Sequence, residues 1–415
     1  PETFFLGVRE LPSARFMRMT GRERSEEVVY WTPHWDPHLA MSYDDAVEGA
    51  REALKESVKL RLRADVPLAF CMSGGVDSNS IISIARRTFD YDVHGFTIVN
   101  TDERYAEQDL VDHAVSALHI RHTSIPVQTE DFLENLRVLI RYHDAPVYTV
   151  SYYAHWLLMR NIAEQGYRIA VSGTGADELF SGYYDHHSMY LYEVRQEPAL
   201  FRESLENWKR YIAPVVRNPL LQDPLAFMKN PGQREHIYLE AEGFASYLTR
   251  DFRETFREEH YCDSLLRNRM LNELFQESVP VILHEDDLNA MYFSIENRSP
   301  FLDRRLFEFC CAVPTRHLIR DGYNKKVLRD AMKGIVPDPV LDCRRKVGFN
   351  APIFSFLDVK NPLVKASLLE DGPVFEHVRK EKISGLLGRE FLPNSESKFL
   401  FYFLCTKIFL EEFAG

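Results

Sequence analysis

Ser73-Gly74-Gly75-Val76-Asp77-Ser78 packs two residues without a Cβ, two hydroxyls and a carboxylate into one short stretch. Such a stretch suits an anion. Gly74 and Gly75 can take positive φ and turn consecutive N–H groups toward a phosphate, and Ser73 and Ser78 add hydroxyl donors. Asp77 is the discordant member, because a bare carboxylate repels phosphate; a bridging Mg2+ removes the contradiction and points to a nucleotide pyrophosphate. A Walker loop is excluded, since no Gly-Lys-Ser/Thr ending follows. A second stretch has the same make-up: Ser172-Gly173-Thr174-Gly175-Ala176-Asp177-Glu178-Leu179-Phe180-Ser181-Gly182-Tyr183. Asp77 and Asp177 are expected to share one Mg2+ between ATP phosphates. The ordinary alternatives are a Ser/Gly turn that happens to precede a helix, and an Asp177-Glu178 pair that only caps one.

The flanking patterns say how these stretches are held. Val66 to Met72 reads as a strand, Asp77 to Arg87 as a helix, Val93 to Val99 as a strand, Glu107 to Leu118 as a helix and Ile120 to Val127 as a strand. Helices around Asp131 to Tyr142 and Tyr152 to Glu164 lead to a further strand, Arg168 to Ser172. Strand-helix alternation implies an α/β fold with a doubly wound parallel sheet, and ligands in such sheets bind at the carboxyl ends of strands. Both stretches stand there, the first at a helix N-terminus whose dipole favours anions. Upstream, Ala46, Val47, Ala50, Ala53, Leu54, Val58 and Leu62 mark one face of a helix from Tyr43 to Arg63. Residues 1–34 read as short strands and turns, too little to fold alone. Beyond Tyr183 strand signals are few, so the rest is expected to be largely helical. The expected division is 1–34, then 35–415, the latter made of a nucleotide-binding part at 35–183 and a mostly helical part at 184–415.

Composition narrows the partners. The chain has 415 residues and a net charge of −12. That balance argues against sequence-independent nucleic-acid binding, which needs a broad basic surface. No uncharged apolar run is long enough to span a bilayer, so no membrane partner is expected. The six cysteines show no C-x-x-C pair or framework spacing, which favours reduced thiols and a cytoplasmic setting. A homodimer is left open.

Four segments together resemble the synthetase domain of the glutamine-dependent asparagine synthetase family, class II amidotransferases related to the β-lactam synthetases and lasso-peptide cyclases. They are the Ser73 to Ser78 loop, the Ser172 to Tyr183 loop, Ser294-Ile-Glu-Asn-Arg-Ser-Pro-Phe-Leu-Asp303, and Arg345-Lys-Val-Gly-Phe349. The resemblance covers about Asp44 to Ala351 and implies a sheet of the PP-loop ATP pyrophosphatase (adenine nucleotide alpha-hydrolase-like) type. It implies that Ser73, Gly74, Gly75, Asp77 and Ser78 bind pyrophosphate, that Ser172 and Gly173 lie close to ATP, and that Asp77 and Asp177 hold Mg2+. Lys346 matches the lysine that stabilises the activated carboxyl and departing phosphates, and Glu296 an acidic residue of the acyl-adenylate pocket. Glu178, Asn297 and Arg298 are further candidates for the substrate pocket. By themselves, a lysine beside Arg344 and Arg345 and a glutamate beside Arg298 read as a solvated basic patch and a structural ion pair.

The implied reaction adenylates a carboxylate with ATP, and ammonia then attacks the acyl-adenylate to give an amide, AMP and pyrophosphate. Two alternatives stand beside it: an intramolecular amide-forming cyclase, and a non-catalytic nucleotide-binding subunit that partners a glutaminase. Family members begin with a cysteine on a glutaminase domain. Here no cysteine precedes Cys71, and only Gly7 to Trp31 resembles that domain's closing strands. The glutaminase is read as lacking, with the chain a fragment or processed product, or a user of free ammonia or of a separate glutaminase domain or subunit. Thr174, Asn297 and Ser299 depart from common family patterns, so the acid need not be free aspartate. His113, His119 and His122 read as surface histidines, His186-His187 as helix surface or a substrate contact, and Cys310-Cys311 as core.

Overall fold

The computed structural model describes residues 2–414 apart from 21–22, 100–106, 128–129, 238–240, 252–255, 345–352 and 391. Its centre is a five-stranded, wholly parallel sheet ordered β5-β4-β3-β6-β7. The strands are β3 (Leu68–Cys71), β4 (His94–Val99), β5 (Arg121–Pro126), β6 (Ile169–Val171) and β7 (Glu296–Arg298). The first four lie where the alternating pattern puts them. A separate antiparallel ribbon joins β1 (Arg15–Thr20) to β2 (Glu23–Val29).

Why helices cover both faces is written in the strands. Along β3, Leu68 and Phe70 point into a core cluster shared with Ala46, Ala50 and Leu54, while Ala69 joins a second cluster with Leu158, Met159, Ile162 and Ala290. Side chains alternate across a strand, so a run apolar at every position must be buried on both sides. The first face is covered by α1 (Tyr43–Arg61) and α2 (Val76–Ser83), the second by α5 (Val150–Glu164) and the helix Ser278–Met291. α3 (Gln108–Leu118) joins the first-face cluster through Val111, Ala114 and Leu118, and α4 (Phe132–His143) packs in a further cluster through Leu136, Leu139 and Ile140. After β6 come α6 (Ala176–Phe180) and α7 (Tyr184–Glu193).

The order of the strands creates the site. From β3 the chain winds outward through β4 to β5, then returns to lay β6 and β7 against the opposite edge of β3. Loops leaving β3 and β6 therefore diverge, and a crevice opens between them at the carboxyl ends. β7 is the one short strand set within the largely helical remainder, among the described residues. Its three residues are too short and too polar to show a strand period, and pairing with β6 (Ile169 with Glu296, Val171 with Arg298) is what makes them a strand. Among the described residues no helix is long and apolar enough to cross a membrane.

Candidate active site

The loop after β3 is held by its own polar groups. Ser73 N–H donates to Ser78 Oγ at 3.1 Å, Gly75 N–H donates to Ser73 Oγ at 3.2 Å, and the two serine hydroxyls are 3.1 Å apart. Asn79, which sequence reasoning passed over, braces the turn: its Nδ2 donates to Ser73 O at 2.9 Å and Gly75 O at 2.8 Å. The expected positive φ is not used here, since Gly75 is extended at φ −74° and caps α2. Gly74 serves close approach instead. A Cβ on it would lie 2.8 Å from Glu107 Cβ, and its N–H donates to Glu107 Oε2 at 3.1 Å, so a carboxylate sits on the expected anion-binding loop.

The second loop starts from β6, where Ser172 N–H donates to Arg298 O of β7 at 2.9 Å. Ser172 Oγ lies 3.2 Å from Thr174 Oγ1 and 3.3 Å from Ser299 Oγ. The two loops touch: a Cβ on Gly173 would stand 3.1 Å from Asp77 Cβ. Asp77 and Asp177 are brought together around a cation that sequence reasoning missed. Lys325 Nζ is 2.6 Å from Asp77 Oδ2 and 2.7 Å from Asp177 Oδ1, with Lys325 only 2% exposed. Its backbone has φ 52° and its N–H donates to Ser181 O at 3.3 Å, while Asn324 Nδ2 donates to Gly182 O at 2.8 Å. The available signal was the basic pair Lys325-Lys326 in a chain whose acidic loops need a counter-charge.

Other expected groups fall elsewhere. Glu178 is 3% exposed and turned inward, accepting from Tyr183 Oη at 2.5 Å; burial, and then the neighbouring Asp177 charge, push its carboxyl up to about 7. Arg298 reaches across to α1, donating to Arg61 O at 2.7 Å and Arg63 O at 2.8 Å. Glu296, on the same side of β7, accepts from Arg298 Nε at 2.7 Å with its side chain 60% exposed. Of the residues in this motif, Asn297 and Ser299 face a depression of about 380 Å³ that they share with Leu283, His284, Asp286 and Asp287. Lys346 and the rest of Arg345 to Phe349 lie outside the described residues. His186 and His187 are both buried rather than on a helix surface, and Cys310 and Cys311 are core.

The pair Asp77 and Asp177 fits a divalent ion by the chemistry of its donors. Two carboxylates converge on one buried positive centre, and oxygen donors of that kind suit Mg2+.

Comparison with known proteins gives the family. The asparagine synthase family matches residues 49–396. Asparagine synthetase [glutamine-hydrolyzing] 1 of Bacillus subtilis is 26% identical over 386 residues, covering 86% of this chain and 58% of the relative. A putative asparagine synthetase [glutamine-hydrolyzing] of Mycobacterium bovis is 28% identical over 375 residues, with 86% and 56% covered. The chain thus spans little more than half the length of these curated relatives. Among solved structures, the U34-tRNA thiolase NcsA of Methanococcus maripaludis aligns over 61% of this chain and 81% of its own at 12% identity, with a TM-score of 0.24 too low to carry weight.

Proposed function

The chain belongs to the asparagine synthase family, and from that premise we propose that it is an ATP-dependent amide-forming ligase that adenylates a carboxylate and passes ammonia to the acyl-adenylate, releasing AMP and pyrophosphate. One observation carries the reading: carboxylates from two loops at the switch point of the sheet share one buried cation, Lys325.

The residues divide the work. Ser73, Gly74, Gly75 and Ser78 line the proposed pyrophosphate seat at the start of α2, where Glu107 must give up the Gly74 N–H before a phosphate can take it, and Ser172 and Gly173 border ATP from the other loop. Asp77 and Asp177 would hold Mg2+, which when bound neutralises charge on the phosphates. Lys325, already between those carboxylates, adds fixed positive charge where the leaving pyrophosphate needs it. Lys346 is proposed to stabilise the activated carboxyl. Glu296 was the other proposed catalytic group; its pairing with Arg298 favours a structural part for it. The depression beside Ser299 and Asn297 is the proposed seat of the acid, aspartate or a larger carboxylated metabolite. Ammonia is proposed to come from a glutaminase domain or subunit or from solution, and a dry site protects the acyl-adenylate from hydrolysis.

Purified protein given ATP, ammonium and a panel of acids should release AMP and pyrophosphate only when Mg2+ is present. Lys346→Ala should abolish turnover while ATP still binds. Silence with every acid, or normal turnover of the variant, would overturn the reading or that assignment respectively.

A further inference from the structure

The depression beside Asn297 and Ser299 has a buried carboxylate in its wall. Asp286, on the helix Ser278–Met291, is 8% exposed and lines the depression together with Leu283, His284 and Asp287 of the same helix. Its neighbour Glu285 is occupied: Tyr148 N–H donates to Glu285 Oε1 at 3.0 Å, and His143 Nδ1 lies 3.3 Å from Glu285 Oε2. Asp286 has no such cover. Its one ion-pair contact among the described residues is His155 Nδ1 at 3.3 Å, and no hydrogen bond from a described residue reaches either oxygen. Burial raises its carboxyl, and the Glu285 charge adds to that rise against the pull of His155, so it stands above the usual carboxylate range.

The lining is made for a donor. Beside Asp286 and Asp287 stand Asn297 and Ser299, and no lysine or arginine is among the described lining residues. The helix side of such a wall repels a carboxylate or phosphate and draws a small cation that donates hydrogen bonds. The depression also borders the nucleotide loops, because Ser299 Oγ is 3.3 Å from Ser172 Oγ at the root of the second loop. The ligase reading requires a nitrogen nucleophile here. At neutral pH ammonia is held almost wholly as ammonium, which has no lone pair to attack with, so a group in the site must take a proton from it. Glu296 is poorly placed for that, since its exposed carboxylate pairs with Arg298.

We propose that Asp286 receives the ammonium in this depression and removes its proton, making it the catalytic base of amide formation. Asp286 takes one proton from the nitrogen, and the lone pair so freed attacks the acyl carbon. The C–O bond to the phosphate then breaks with its electron pair leaving on AMP, and the second proton is lost to water as the amide forms. His155, on α5, holds the carboxylate in place. The other titratable groups that face Asp286 are Tyr152 of α5, Cys71 of β3, and Glu285, His284 and Asp287 of its own helix. This inference rests on the ligase reading and adds to it the place where nitrogen binds.

The test separates the two half-reactions in the full chain. Acid-dependent exchange of pyrophosphate into ATP reads adenylation alone, and product formation is followed with either ammonium or hydroxylamine, the latter largely unprotonated at neutral pH and so in no need of a base. Asp286→Asn should keep exchange within about threefold and lose roughly 10²-fold or more of its rate with ammonium, the scale of general-base catalysis. With hydroxylamine it should stay within about threefold of the unaltered chain. Should Asp286→Asn fail to fold, Asp286→Glu, which keeps the carboxylate but moves it by one methylene, should lower the ratio of ammonium to hydroxylamine rates at least tenfold. An unchanged ratio in either variant, or equal loss of both nucleophiles with exchange intact, overturns the proposal and leaves the ligase reading standing. Absence of exchange with every acid in the unaltered chain overturns the ligase reading, and this inference with it.

Discussion

Lys325 Nζ lies 2.6 Å from Asp77 Oδ2, although the two residues stand 248 positions apart in the chain. The aspartate that the phosphate-loop pattern marks as a metal ligand is met by an ammonium group, and the same ammonium reaches Asp177 at 2.7 Å. The lysine thereby holds both loops of the crevice in register by charge. A bound divalent ion would share the same two carboxylates.

Replacing Lys325 with Ala strands two carboxylates in a mostly enclosed site. Breaking a buried pair in this way costs about 3–5 kcal/mol, so Tm should drop. Mg2+ should recover more of the loss in the variant than it adds to the unaltered protein, because it supplies the same charge to the same carboxylates. Lys325→Arg should rescue poorly, since a planar guanidinium cannot replace a point charge gripped from two sides. Thermal melts with and without Mg2+ decide this, and equal Mg2+ protection of both proteins would sink it.

Gly182 is where the second loop passes closest to its own aspartate. A Cβ there would overlap the Asp177 carboxylate and the Lys325 stem. Gly182→Ala should therefore displace Asp177 and lower pyrophosphate release by roughly 10²-fold, the scale on which misplaced groups lose rate, with a far smaller change in Tm than Lys325→Ala. A variant with full activity would show that the Asp177 position is not needed.

Glu296 and Arg298 separate by experiment. The Glu296–Arg298 pair is solvent-exposed on the glutamate side and worth at most about 1 kcal/mol, whereas Arg298 also ties off two carbonyls at the end of α1. Glu296→Gln should keep turnover within about threefold and leave Tm nearly unchanged. Arg298→Ala should cost about 1.5–3 kcal/mol, the range for hydrogen bonds to a charged group. A collapse of turnover in Glu296→Gln with normal Tm would restore it as a catalytic residue.

Asp303 carries a pH signature. Burial raises its carboxyl, but the Arg61 guanidinium and the N–H groups of Arg305 and Leu306, which it caps, outweigh that and hold it below the usual carboxylate range. A depressed carboxylate adds stability above its unfolded pKa, about 3.9, and loses it as pH falls toward the folded value. Tm of the unaltered protein should fall more steeply below about pH 4 than that of Asp303→Asn. Parallel curves would remove Asp303 from the acid response.

Much of the architecture is written locally. Short runs set between amphipathic stretches marked β3, β4, β5 and β6, helical spacing marked α1, and glycine with acid marked both loops, because each signal lies within a few consecutive residues. β7 was not legible, since Glu296 to Arg298 become a strand only beside β6. Asn79 and Lys325 were missed for a related reason: an amide in a helix, or a lysine in a basic pair, shows its purpose only when the carbonyls or carboxylates it serves are known. The motif around Glu296 was legible as a motif, yet the pleat sends Glu296 and Arg298 to one side of the sheet edge and Asn297 and Ser299 to the other. The sequence by itself determined four strands of the parallel sheet, its two acidic loops and the family. Only the tertiary structure decided which cation joins those loops and which side chains face the crevice, because charge pairing and strand facing depend on residues distant in the chain that meet only on folding.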